Sequence, residues 1–107
     1  MSKYLNKKCE YDGLKFDSLK ERNRYIELKA LQQTGSISHL KCQPVFKYLS
    51  EDKKKVLFKY IADFDYCTGD GVYMVEDVKS SMTAKLPVFR LKKKLIEDRF
   101  KIEIHLV

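Results

Sequence analysis

The sequence predicts an α/β fold in a single domain, and three observations carry that prediction. Apolar residues recur at helical spacing over residues 18–34 and alternate at strand spacing from Val56 onward. A second helical stripe then begins at Pro87 and gives way to a closing alternation. A chain of 107 residues suits one hydrophobic core and is short for two, so residues 1–107 are assigned to one domain.

Residues 1–17 are mixed, basic and aromatic, and Tyr11-Asp12-Gly13-Leu14-Lys15-Phe16 reads as a turn or short hairpin leading into the first helix. Ser18-Leu19-Lys20-Glu21 fits a capping box, in which the Ser18 hydroxyl accepts from the third helical amide while Glu21 reaches back. Leu19, Tyr25, Ile26, Leu28, Ala30 and Leu31 follow at helical spacing, and Gly35 is a natural stop, so residues 18–34 form the first helix. Gln43 to Leu49 is rich in β-formers, and Ser50 to Lys54 makes a polar connection. The next segment alternates, with Val56, Phe58, Tyr60, Ala62, Phe64 and Tyr66 on one face and Leu57, Lys59, Ile61, Asp63 and Asp65 on the other. Thr68-Gly69-Asp70-Gly71 is a turn signal, Val72 to Lys79 resumes as a strand, and residues 55–79 read as a β-hairpin. Ser80 to Lys85 is a loop. Pro87 suits the first turn of a second helix, striped by Val88, Leu91, Leu95 and the Phe89, Ile96 pair. Ile102, Ile104 and Leu106 close the chain as a strand. The expected order is α-β-β-β-α-β.

Hydrophobic residues make up 44% of the chain, which places it among globular rather than disordered sequences. The formal charge of +7 is enough to attract and steer a polyanion, although a well-charged soluble surface accounts for it equally. Lys53, Lys54, Lys55 and Lys92, Lys93, Lys94 are two runs able to contact DNA phosphates, or two solvated faces. Cys9, Cys42 and Cys67 are odd in number and widely spaced, so neither a disulfide framework nor a zinc site is suggested. His39 and His105 are too isolated for a zinc cage. No signal peptide and no membrane-length apolar run is present, and a protein acting in solution in the cytoplasm is expected.

The chemistry concentrates in the hairpin. Side chains alternate along a strand, so Asp77 and Lys79 project to one face while Glu76 and Val78 project to the other. A three-residue Gly69-Asp70-Gly71 loop with Gly71 left-handed sets Asp63 opposite Asp77; a two-residue Asp70-Gly71 turn shifts this register. The first is preferred because it puts the acids side by side. Two facing carboxylates repel unless a cation neutralises them, and Mg²⁺ favours a few carboxylates with waters and phosphate oxygens. Lys79 would then hold a water or offset charge on a phosphate. Ordinary exposed acids, with Lys79 in a weak ion pair, fit the same pattern and are commoner on residue chemistry alone. Glu21 has its plain role in the capping box, yet sits one turn before Tyr25 on the stripe that faces the sheet. Glu76 replaces Asp77 opposite Asp63 if a bulge moves the register.

Tyr60-Ile61-Ala62-Asp63-Phe64, followed after a hairpin by Val75-Glu76-Asp77-Val78-Lys79, resembles the PD-(D/E)XK nuclease motif, with Ala62 where that motif usually has Pro. Tyr11-Asp12-Gly13, Phe16-Asp17-Ser18-Leu19-Lys20-Glu21, Gln43-Pro44-Val45-Phe46 and Leu91-Lys92-Lys93-Lys94-Leu95 are similar to phrases of a phage-encoded family placed in that superfamily. The resemblance covers nearly the whole chain. It implies a restriction-endonuclease-like core, a mixed sheet flanked by helices, and a Mg²⁺ or Mn²⁺ site at which Glu21 joins Asp63, Asp77 and Lys79. Gln43 stands where some similar enzymes place a polar residue near the metal. By the same likeness the substrate is DNA, branched as at Holliday junctions, in phage recombination or replication; the protein is a homodimer in the host cytoplasm. The alternative is a nucleic-acid-binding module on the same fold without turnover.

Overall fold

The structure is a computed structural model that describes residues 8–107, so the first seven residues of the expected 1–107 domain lie outside the described residues. Strands β1 (Cys9–Tyr11) and β2 (Leu14–Phe16) form the short hairpin expected before the first helix. Its turn residues Asp12 (φ 59°) and Gly13 (φ 77°) are both left-handed, the geometry that matches strand twist in a two-residue turn. Helix α1 (Leu19–Gln33) starts where the sequence places it: Ser18 is extended, and its hydroxyl accepts from the Glu21 amide at 3.0 Å. Its buried stripe is Glu21, Tyr25 and Leu28, spaced by four and three residues.

Between the helix and the hairpin the chain makes one strand more than expected. Strand β3 (Ile37–Cys42) was not anticipated, because its apolar residues Ile37, Leu40 and Cys42 do not alternate. A bulge between Ser38 and Lys41, with His39 left-handed at φ 59°, shifts the parity midway. Strand β4 (Val45–Leu49) follows, then β5 (Val56–Ile61) and β6 (Phe64–Thr68). The single strand expected from Val56 to Tyr66 is thus two strands.

The break is a corner rather than an end of pairing. Lys41 opposes Asp65, Cys42 opposes Phe64, Val45 opposes Ile61 and Phe46 opposes Tyr60, so one antiparallel register runs through both ladders. At the bend the Gln43 amide donates to Asp63 O at 2.8 Å and the Ala62 amide donates to Pro44 O at 3.1 Å. Gln43 is left-handed (φ 55°), and Pro44 has no amide to give to a ladder, which together turn the chain. Beyond the corner β4 and β5 stand apart as a two-stranded ribbon, while β3 and β6 join a four-stranded sheet of order β3-β6-β7-β8.

Strand β7 (Tyr73–Asp77) pairs antiparallel with β6, and the loop between them is the three-residue kind, with Gly71 at φ 84°. Ser80 caps a one-turn helix α2 (Ser81–Ala84) where a loop was expected, through a 3.1 Å bond from the Thr83 amide. Helix α3 (Pro87–Phe100) has Pro at its first turn as expected. It buries Ile96 and partly buries Phe89, while Val88 and Leu91, expected in the stripe, are exposed. Strand β8 (Ile104–Leu106) then runs parallel to β7, which makes the sheet mixed. Among the described residues the fold is therefore α/β with a mixed sheet and three helices, but its order is β-β-α-β-β-β-β-β-α-α-β, not α-β-β-β-α-β.

Cores lie on both faces of the sheet. Phe64 and Tyr66 pack with Phe16, Tyr25, Leu28 and Ile37 under α1, while Val75 and Ile104 pack with Phe46, Tyr60, Ala62 and Ile96 under α3 and the ribbon. The first interface includes one charged contact: Arg24 of α1 donates from Nε and Nη2 to the two carboxylate oxygens of Glu76 at 2.7 and 2.6 Å. Tyr66 Oη donates to the same buried carboxylate. Burial alone raises the Glu76 pKa, but the Arg24 and Tyr66 hydrogen bonds overcome it and hold Glu76 below its ordinary value. Arg24→Ala strands this charge and is expected to destabilise the fold by about 2–3 kcal/mol, since Arg24 is itself partly exposed. Urea unfolding of Arg24→Ala and of Arg24→Ala with Glu76→Gln tests this. The double variant regains part of the loss; equal stability of Arg24→Ala and wild type contradicts the assignment.

Candidate functional site

Phe64 opposite Glu76 is the last pair of the β6–β7 ladder at this end, and Asp63 lies in the corner just before β6. The expected pairing of Asp63 opposite Asp77 is not part of that ladder; the two carboxyls are near neighbours at the corner. Asp63 is fixed by its backbone on both sides: its carbonyl accepts from the Gln43 amide and its amide donates to Glu76 O at 3.1 Å. Its side-chain Oδ2 accepts from the Val78 amide at 2.7 Å.

Asp77 is the last residue of β7, flanked by β6 and β8, and it is fully buried. Tyr60 Oη, arriving from the ribbon, donates to Asp77 Oδ2. Asp77 Oδ1 accepts no hydrogen bond among the described residues, and Lys79 Nζ lies 3.2 Å away in an ion pair. The strand expected over Val72–Lys79 ends at Asp77, so Lys79 reaches Asp77 from beyond the strand end rather than by strand parity, and its ammonium also lies 5.7 Å from the Phe89 ring centroid.

Glu21 approaches from α1. Its side-chain carboxylate is not bonded back to Ser18, so only the Ser18 half of the expected capping box forms. Glu21, Asp63, Lys79, Lys20, Ser80 and Thr83 line a cavity of about 220 Å³ between α1, the corner and α2. Lys20 Nζ closes one side by donating to Lys79 O at 3.3 Å. Asp77 does not line this cavity; it lies behind it, against Lys79 and Tyr60.

Three candidate positions resolve differently. Glu76 faces the opposite side of the sheet, held by Arg24 and Tyr66, so it does not take the place of Asp77. Gln43 precedes β4 rather than opening it, and acts through its backbone on Asp63, while its side chain lines a separate hollow with Glu21 and Cys42. None of Lys53, Lys54, Lys55, Lys92, Lys93 and Lys94 lines the carboxylate cavity. The first three occupy the tip of the ribbon; Lys92 lies over the Phe58 ring at 5.4 Å, and Lys93 pairs with Glu97 at 3.1 Å.

Tyr60 is the site residue that sequence reasoning missed. Simple alternation placed it on the face opposite Asp63, and only the corner at Ala62 and Asp63 turns it toward Asp77. Nothing in the local sequence marks that rotation except Pro44, two strands away in the chain.

The chain matches the family described as "Protein of unknown function (DUF1064)" over residues 1–107. It belongs to the DUF1064 family. No curated protein and no solved structure matches it significantly.

The electrostatics of this DUF1064 site are those of crowded acids. Burial pushes the Asp63 carboxyl up to about 7; the Val78 amide opposes the shift, and the nearby Asp77 and Glu21 carboxylates add to it. Burial also raises Glu21, with Asp17 adding to the shift and Lys79 opposing it. Among the described residues no three acidic, imidazole or thiol groups stand close enough to form a ready-made metal cage. Two neighbouring carboxyls, a third on the cavity lining and a buried oxygen without a hydrogen-bond partner do fit a hard cation that keeps most of its water, as Mg²⁺ does. The Lys79 ammonium beside Asp77 Oδ1 marks where positive charge is needed.

A pH dependence follows from Asp63. Its folded pKa lies above its unfolded value of about 3.9, so the folded state holds a proton the unfolded chain has released. That contribution is complete below about pH 4 and is lost as pH rises through about 7. Metal-free protein is expected to lose stability between pH 5 and pH 8, and Asp63→Asn to remove about 1–3 kcal/mol of that loss. Thermal unfolding of both proteins across this range, in chelator, checks it. Parallel curves for the two proteins contradict a buried, protonated Asp63.

Proposed function

We propose that this DUF1064 protein is a divalent-metal-dependent DNA endonuclease of the PD-(D/E)XK type on a restriction-endonuclease-like core. The observation that carries the reading is the convergence at one corner: Asp63 just before β6, Asp77 at the end of β7, Glu21 from α1, and Lys79 two residues beyond Asp77. Structural acids are commonly neutralised by a partner that stays, as Glu76 is by Arg24. At the corner Asp63 and Glu21 instead line an open cavity, with Asp77 close to Asp63 and paired to Lys79.

Asp63, Asp77 and Glu21 are the residues that would hold Mg²⁺ or Mn²⁺. When bound, the ion supplies charge to offset the acids, Lewis acidity toward a phosphodiester and acidity to a water. Tyr60 donates to Asp77 Oδ2, so Oδ1, which faces Lys79, is the Asp77 oxygen that would meet the ion. Lys79 lines the cavity, where its ammonium would hold a water or meet charge growing on the phosphate. Glu21, on the opposite wall, orients water from the helix side.

A net charge of +7 supports a polyanionic substrate. Branched DNA in recombination or replication, in the cytoplasm of a host cell, is the setting this reading favours. Cutting both strands of a junction takes two copies, and the exposed Met82, Leu86, Val88 and Leu91 along α2 and α3 support a homodimer. Among the described residues no helix is long and apolar enough to cross a membrane.

A second reading has its own support. Asp77 lies behind the cavity and its free oxygen is already met by Lys79, as in a DNA-binding module that has no turnover. Incubation with junction, flap, nicked and linear DNA separates the two. With Mg²⁺ or Mn²⁺ the wild type is expected to cut at least one substrate, and Asp63→Ala and Asp77→Ala to fall to background. Lys79→Ala is expected to lower turnover by about 10²–10³-fold. Glu76→Gln is expected to cut normally per folded molecule. Undiminished cleavage by Asp77→Ala removes the corner from the mechanism; chelator-resistant binding with no saturable Mn²⁺ site establishes the binding module.

A further inference from the structure

We infer that the outer face of the β4–β5 ribbon is a docking surface for the phosphate backbone of double-stranded nucleic acid. The inference takes its partner class from the reading above, but does not depend on cleavage.

One face of the ribbon is covered and the other is not. Phe46 packs on Phe100 at 5.3 Å, Tyr60 on Phe89 at 6.1 Å, and Arg99 lies 4.2 Å over Tyr48, so the inner face is closed by α3. On the outer face Val45, Leu57 and Ile61 are each at least half exposed. Between them Lys47 and Lys59 stand directly opposite each other, both exposed. A like-charged cross-strand pair on an open face is destabilising, and an anion bridging the two ammonium groups removes the penalty. Lys53, Lys54 and Lys55 continue the charge around the tip. Asp52 in that turn directs its carboxylate inward, accepting from Ser50 Oγ at 2.6 Å and from the Lys54 amide at 2.9 Å. Residues 45–61 carry five lysines against two acids, whereas residues 62–86, which hold the corner, carry five acids against two lysines. The ribbon therefore holds a polyanion that the corner alone would repel.

The occupant is a duplex rather than the alternatives. A second copy seated face to face would set four lysines together. Unpaired strands bind by stacking bases on aromatic rings, and the four aromatic residues of the ribbon strands belong to its inner face. A duplex presents phosphates without needing stacking, and a two-stranded ribbon has the width to lie along or within its major groove. The ribbon spans roughly 17–20 Å, about five or six base pairs. Its stem at Ile61 is two residues from Asp63.

Fluorescence anisotropy of the full chain in chelator, with a labelled 20-base-pair duplex and the matching single strand, tests this. The wild type is expected to prefer the duplex. Lys47→Gln with Lys59→Gln is expected to weaken duplex affinity about tenfold and to reduce the slope of log affinity against log salt by about 2. The same variant should unfold no earlier than wild type, since it removes a repulsion. Lys29→Gln with Lys41→Gln, an equal charge change away from the ribbon, should leave binding nearly unchanged. Equal losses in both pairs, equal affinity for the single strand, no duplex binding by wild type, or a dimer dissociated by the ribbon variant would each overturn the inference. If no metal supports cleavage while the ribbon variant still loses duplex affinity, the endonuclease reading fails and the docking surface stands.

Discussion

Two carboxyls crowded together at the end of a sheet are the constraint around which the rest of this molecule is arranged. Charged together, Asp63 and Asp77 repel, and burial strengthens that repulsion by removing the water that would screen it. Each neighbour answers part of the problem. The Val78 amide and Tyr60 hydroxyl each satisfy one oxygen, Lys79 brings a compensating charge, and the raised Asp63 pKa lets one proton remain. The compensation is incomplete at Asp77 Oδ1, which has an ion-pair partner but no hydrogen-bond donor. A fold selected for stability alone would treat these acids as it treats Glu76, with a bidentate arginine and a tyrosine. Both treatments occur on adjacent residues of one strand, facing opposite sides of the sheet.

The bent hairpin explains how one chain segment serves both sides. A straight strand from Val56 to Thr68 would keep Tyr60 and Asp63 on opposite faces. Turning at Gln43-Pro44 and Ala62-Asp63 preserves the register while it redirects the ribbon beneath α3. Asp63 then stands at the hinge, its backbone tied to Gln43 and Glu76, so a mobile turn does not decide its position. The same bend sends Tyr60 to Asp77 and frees the outer ribbon face.

Much of this was legible in the residues, for identifiable reasons. Helix α1 announces itself through Ser18 and a stripe at helical spacing, and the β6–β7 loop through glycine at a left-handed position. That loop sets the register of the ladder as far as Phe64 and Glu76, but Asp63 lies in the corner before it and Lys79 beyond the end of β7, so their closeness to Asp77 comes from the folded chain rather than from strand parity. Strand β3 could not, since the bulge at His39 scrambles its alternation. The corner escaped for the opposite reason: residues 56–66 alternate so regularly that nothing local signals a bend, and the cause lies in Pro44 on the partner strand. Missing the corner hid Tyr60. Glu21 was visible on the stripe, but that it lines a cavity with its carboxylate not bonded back to Ser18 shows only in the folded chain.

Whether the crowded acids exist to share a cation is the question on which this account turns, and it can be asked before any substrate is known. Crystals soaked in Mn²⁺ and measured at the manganese absorption edge would locate the ion directly. If the acids do share a cation, an anomalous peak is expected within ligand distance of both Asp63 and Asp77 Oδ1, roughly 2.0–2.3 Å from each, with Lys79 displaced from its present ion pair. An empty corner with Lys79 still on Asp77, at Mn²⁺ concentrations that load other carboxylates on the surface, would contradict it.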